Sequence, residues 1–452
     1  MNPIRFRKIV SAAAIAALAL PFAGGPAAPD AASAESAVAS TGNPYYVKVA
    51  APAIKPLWSF TPAAVSNPQG KQSVTALAEN GMIFALQKNY KLIALKAASG
   101  QKMWEFGNAL APLFTYSNGS LYGLTQKGAL YAVKENGAKL WSADITMPNA
   151  ASIQRIGSTI YVTESSKIAA VDAVTGKVKW KITEADAGYY GLDVLTESDG
   201  VLLRTYIGES TLALPGLAAY DAKTGKKLWD QYRQNSPLVI KDGLVYSEKR
   251  LEMLDEDPVN RKILISVLNL NTGQLKGERF YRWTDKENTD GSFRSGGAYG
   301  SAFLEGDQLY IYQGNNVARY DFWKYTENGQ PAQVWQQYLS ESESPLNKVH
   351  QQRMLYYNYN DNTLSVLKLA NGQYLRLSQG ENPVVQLDIF GNTIYAGQSD
   401  GLFHAYDLLS FKPLFTVNTG SRDFLPSLKT GSMLIVRSGG KLLGVKLPVS
   451  VQ

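Results

Sequence analysis

Cysteine is absent from all 452 residues, and histidine occurs only twice, at His350 and His404. With no thiol there is no disulfide, no thiolate metal ligand and no cysteine to carry a lipid anchor. Two isolated histidines cannot build a histidine-rich zinc centre. His404, between Phe403 and Ala405 in a strand-like run, reads as a packed residue, and His350 in "PLNKVHQQRM" has no acidic neighbour. No G-x-S-x-G, H-E-x-x-H or phosphate-cradling glycine loop occurs. After the first residues no apolar run approaches the length of a membrane-spanning helix. Excess charge is scarce too. The chain carries +7, of which the first 34 residues hold a net +2. The remainder has no basic stripe, which excludes nucleic acid as a partner. Its mild basicity suits an anionic cell-wall polymer or membrane surface.

The opening "MNPIRFRKIVSAAAIAALALPFAGGPAAPDAASAES" does have a recognisable form. Arg5, Arg7 and Lys8 precede an apolar segment, and small residues Ala32-Ser33-Ala34 follow. This predicts a signal peptide over 1–34 cut after Ala34, a flexible linker over 35–53 and a single domain over 54–450. The product is expected outside the cell or in its envelope, as a monomer.

What the chain has in quantity is self-similarity. "LAAYDAKTGKKLWDQ" (217–231) places Ala219, Asp221, Thr224-Gly225 and Trp229 in fixed order, and "IAAVDAVTGKVKWKI" (168–182) repeats it with Ala170, Asp172, Thr175-Gly176 and Trp180. Partial copies end at Trp104, Trp141, Gly277, Trp335, Leu375 and Phe415. Each copy follows runs of period-two alternation cut by Gly, Asn and Asp, which is the strand and hairpin signal. Four short antiparallel strands per unit, about 40 residues apart, describe a β-propeller blade. The fold class is therefore all-β. Eight outer-strand positions are visible, and "DFLPSLKTGSMLIVRSGGKLLGV" (423–445) supplies three more strands without a fourth. "IKPLWSF" (54–60), carrying Trp58, has outer-strand character, so pairing of the two termini would close the ring. The count from sequence is nine.

The A-x-D-x-x-T-G-x-x-x-W pattern resembles the repeats of the pyrroloquinoline quinone (PQQ) dehydrogenase-like propellers, a family that includes the non-enzymatic propeller of outer-membrane β-barrel assembly. The resemblance implies eight blades. It also implies that Trp58, Trp104, Trp141, Trp180, Trp229, Trp335 and Phe415 dock neighbouring blades rather than bind a ligand. The dehydrogenases hold PQQ and Ca²⁺ and often carry a vicinal cysteine pair, which is absent here, and no stretch matches their catalytic segments. No catalytic residue, metal ligand or cofactor is therefore expected, PQQ and Ca²⁺ entering only under an oxidoreductase alternative.

The expected function is a secreted, non-catalytic binding or scaffolding module for a protein or a cell-wall polysaccharide, with a carbohydrate-active propeller as a second alternative. Binding residues are sought where the repeat is irregular, because propeller function rides on loops over a rigid ring. "YRWTDKENTDGSFRSGGAYG" (281–300) offers Arg282, Trp283, Arg294 and Tyr299, and "DFWKYTENG" (321–329) offers Trp323 and Tyr325. Trp, Tyr and Arg are the side chains favoured at binding surfaces. The acidic Asp255, Glu256 and Asp257 read as a solvated hairpin tip, and Asp285 with Asp290 lacks the alternating oxygens of a calcium loop.

Overall fold

A computed structural model describes residues 51–64, 75–184, 190–207, 214–251, 257, 259–285, 299–336, 343–358, 363–377 and 382–451. These form nine four-stranded antiparallel sheets. Blades 1 to 8 are 76–106, 110–144, 152–183, 190–232, 234–284, 299–336, 343–377 and 384–418. Blade 9 takes three strands from 424–446 and its fourth, Trp58–Phe60, from the other end of the chain. The first strands of successive blades touch from blade 8 through 9, 1, 2 and 3 to 4, and again from 5 to 7, which lines them along an inner wall.

Nine blades correct the eight that the resemblance implies. The stretch between 232 and 362, where the repeat is least regular, holds blades 5 and 6 entire and the first two strands of blade 7. Closure follows the expected route: Trp58 pairs with Gly444 and Phe60 with Leu442. The seam is doubled, because Ile54 N–H donates to Thr416 O at 2.8 Å and Thr416 N–H to Pro52 O at 2.9 Å, tying the incoming chain to blade 8.

Burial explains why alternation is uneven along each blade. The second strands Thr159–Glu164 and Thr393–Gln398 are buried at every position. Both of their faces are covered by neighbouring blades, so they read as continuous runs. The fourth strands of blades 2, 3 and 4 alternate cleanly. In Lys139–Asp144, Trp141 and Ala143 point inward while Leu140 and Ser142 are exposed.

Candidate functional site

Five joints between blades share one geometry. Trp180 Nε1 donates to Ala222 O of the next blade at 2.9 Å. Its ring lies over Gly225, where a Cβ would come within 2.7 Å of Trp180 Cδ2. Trp58, Trp104, Trp141 and Trp229 make the same bond to Ala97, Glu135, Ala173 and Leu270 carbonyls, at 2.7, 2.9, 3.1 and 2.8 Å. Gly225 has φ +73°, a conformation only glycine adopts without strain. Asp221 Oδ1 accepts from Thr224 N–H at 2.7 Å and Thr224 Oγ1 at 2.6 Å, and these bonds hold its carboxyl below the usual range. The acid, the glycine and the indole are one structural device. Trp335 keeps the bond, to Leu369 O at 3.0 Å. Phe415 is wholly buried among Tyr395, Phe403 and Val436.

The device breaks between blades 5 and 6. Gly277 stands opposite Val267 as Trp229 stands opposite Ala219. Two residues on, and on the same face, Arg279 Nη1 donates to Phe322 O at 2.6 Å. That carbonyl follows Asp321 as the Ala222 carbonyl follows Asp221, so an arginine replaces the missing indole donor. Its guanidinium lies 4.7, 4.6, 5.9 and 5.3 Å from the rings of Tyr246, Phe322, Trp323 and Tyr325. Cation–π attraction of this kind grows as water is excluded. Replacing Arg279 by Ala is expected to cost about 2–3 kcal/mol, the range for a hydrogen bond from a charged donor. Chemical denaturation would read the loss, and Lys should not restore it because it lacks the planar fork.

This joint also holds a half-buried acid. Glu248, Ile265 and Arg279 lie side by side on three adjacent strands of blade 5, hence on one face. Burial pushes the Glu248 carboxyl up to about 7, although the Arg250 charge and the Ala302 N–H of blade 6 both favour the ionised form.

The residues expected to bind fall into three groups. Trp323 and Tyr325 pack into the joint. Trp323 Nε1 donates to Asp307 Oδ1 at 2.8 Å, and Lys241 Nζ sits 4.1 Å from its ring centre. Tyr325 Oη accepts the Phe280 N–H at 2.9 Å, covering part of an open strand edge that could otherwise recruit another chain. Arg282 and Trp283 end the fourth strand of blade 5: Arg282 is exposed over the Phe280 ring at 4.6 Å, and Trp283 is half-buried against the blade 5 and 6 core. Tyr299 pairs with Gln313 at the start of blade 6. Its side chain, like all of Arg294, lies outside the described residues.

The other candidates have local partners. Asp257 Oδ1 accepts the Val259 and Asn260 N–H groups, each at 2.8 Å. Asp285 N–H donates to Val259 O at 2.7 Å, and Asp255, Glu256 and Asp290 lie outside the described residues. His404 is buried with Nδ1 2.9 Å from Thr416 Oγ1, and burial lowers its pKa. His350 Nε2 lies 2.6 Å from Gly391 O. Among the described residues no three of His, Asp and Glu gather as a metal-holding group.

A groove of about 930 Å³ crosses the turns of blades 3, 4 and 5. Its lining combines apolar Val178, Val201 and Leu228 with Lys177, Lys179, Lys223, Glu197 and Asp199, and includes Asn271 of blade 5. Neither this groove nor Arg279 and Glu248 were singled out by sequence. The groove is made of the repeat's own turns, which carry no local irregularity. Arg279 is signalled only by period two, standing on the face where Gly277 leaves a gap.

Nine blades of this repeat define a PQQ-type β-propeller. The sequence matches, over residues 9–159 and 126–376, the family described as outer membrane protein assembly factor BamB, and the chain belongs to that family. No curated protein matches it. Among solved structures it is similar to BamB from Moraxella catarrhalis, at 15% identity and TM-score 0.47, covering 74% of this chain and 94% of that one. It is also similar to the C-terminal WD40 domain of Sif2, at 11% identity and TM-score 0.48, covering 88% and 99%. A third is the quinohemoprotein alcohol dehydrogenase of Comamonas testosteroni, at 14% identity and TM-score 0.42, covering 87% and 77%.

Proposed function

We propose that this protein is an exported, non-catalytic scaffold that binds a protein partner in the cell envelope, entering that compartment after cleavage near Ala34. The groove over blades 3 to 5 carries the reading. It is a continuous surface built on three blades, combining apolar side chains with charges of both signs, which suits an extended protein segment. Its walls are stiff: Asp172 and Asp221 pin two of the turns, and Trp141, Trp180 and Trp229 lock the three blades to their neighbours. A pre-organised surface lowers the ordering cost of binding. Membership of a family described by an assembly factor supports a protein partner.

A photo-reactive amino acid placed at Leu228, inside the groove, tests this in the producing cell, with the mass of the exported chain read in the same preparation. The expected result is a discrete protein adduct on a chain that starts at Glu35. The same probe at Val449, which is 88% exposed and outside the groove, should give none. Equal labelling from both positions, or none from Leu228, would sink the reading.

A further inference from the structure

The third and fourth strands of blade 5, Asn260–Asn269 and Leu275–Thr284, are ten residues long, whereas those of blade 3 have six each. The second strand, Leu244–Lys249, pairs only as far as Leu264. Residues 260–263 and 281–284 therefore form a two-stranded ribbon extending past the blade. Such a ribbon is marginal by itself, and one face of this one is held. Ile263 and Tyr281 pack against blade 6, with the Tyr281 ring 4.8 Å from Tyr320 and 5.4 Å from Tyr325.

The opposite face has an unfavourable feature. Lys262 and Arg282 are direct cross-strand partners, and like charges so placed destabilise a sheet. Among the described residues neither has an ion pair; Glu278 shares this face and is 3.7 Å from Lys249, while Asp257 and Asp285 lie at the ribbon's end, bonded to Val259 and Asn260. Lys249 shares this face through its pairing with Leu264, which pairs with Phe280. Arg282 is braced over the Phe280 ring. A built support thus displays two opposed cations and a third close by, with Glu278 on the same face.

We infer that this ribbon face is a second docking surface, for an acidic segment of a protein partner. The inference rests on the scaffold reading and adds a site away from the groove. Opposed cross-strand side chains stand about 5 Å apart at Cβ, close enough for a carboxylate to bridge Lys262 and Arg282 and relieve their repulsion. Arginine can grip such a carboxylate through two parallel bonds. Charge complementarity of this kind sets specificity and encounter rate.

The test uses the full exported chain and a fluorescein-labelled decapeptide alternating Glu and Val, followed by anisotropy. Binding should weaken about tenfold or more in Lys262→Glu/Arg282→Glu, the loss of at least 1.4 kcal/mol, and should fall with added salt. Lys134→Glu/Lys139→Glu on blade 2, both exposed in the native chain, should bind as the native chain does. A second readout is independent of binding: Lys262→Glu alone should raise Tm by about 1 °C, because it removes the opposed like charges. Failure of the peptide to bind, equal loss in the blade 2 variant, or a Tm that falls would overturn the inference. So would preferential binding of polyphosphate or phosphatidylglycerol vesicles. If the Leu228 adduct persists while the peptide fails to bind, only this surface is lost and the scaffold reading stands.

Discussion

Trp180→Ala should lower stability by about 3–5 kcal/mol, as large aromatic truncations in packed sites do. Three contributions coincide at this residue. The indole is 7% exposed and packs with Tyr161, Ile168, Leu202 and Ala222. It satisfies the Ala222 carbonyl at 2.9 Å, and it roofs Gly225 so closely that no Cβ fits there. Gly225→Ala reaches the same joint from the other side. It adds a methyl 2.7 Å from Trp180 Cδ2 and forces alanine to φ +73°, so a loss of about 2–4 kcal/mol is expected from overpacking and backbone strain together. The double variant is diagnostic. Once Trp180 is removed, Gly225→Ala should cost only its strain, about 1–2 kcal/mol, and the shortfall from additivity measures the contact. Urea unfolding of the four proteins gives all three numbers. Additive losses would show that Trp180 and Gly225 do not act as one unit.

Those same residues were the legible part of the chain. An Asp, a Thr-Gly pair and a Trp recur at fixed spacing because five joints share one problem: a turn glycine leaves backbone bare, and an indole covers it while donating to a carbonyl of the next blade. Ring closure was legible for a related reason, since "IKPLWSF" has outer-strand character without a blade of its own. Blade number was legible by counting, whereas resemblance pointed to eight; the long strands of blade 5 and the inserted turn at Phe322–Lys324 blur the period without removing a blade. Trp323 and Tyr325 looked like binding residues because they interrupt the pattern. They interrupt it to surround Arg279, whose role appears only when blades 5 and 6 are set side by side. The groove was hidden for the opposite reason, being assembled from turns that obey the pattern in three separate blades.

The joint where Arg279 replaces the tryptophan should also make the ring sensitive to pH. Glu248 titrates at about 7 in the folded protein against 4.5 when free of its surroundings, so the folded state holds its proton more tightly than the unfolded state. Its contribution to stability is therefore complete below about pH 4.5 and is lost as pH rises through 7. A shift of this size corresponds to about 3 kcal/mol between the two limits. Glu248→Gln keeps the shape of the protonated form and cannot ionise. It should match the native protein at pH 5 and exceed it at pH 8 by about 3–4 °C in Tm, given a transition entropy that scales with some 400 ordered residues. The neighbouring charges set the direction of a second comparison. Arg250 favours the ionised carboxylate, so Arg250→Gln should raise the Glu248 pKa further and carry the loss of stability to higher pH. Thermal melts from pH 5 to 8 on the three proteins test both points, and a Glu248→Gln profile that still falls across that range would place the titrating group elsewhere. The ring is thus expected to be weakest, above neutrality, at the joint where a half-buried carboxylate and an arginine stand in place of an indole on glycine.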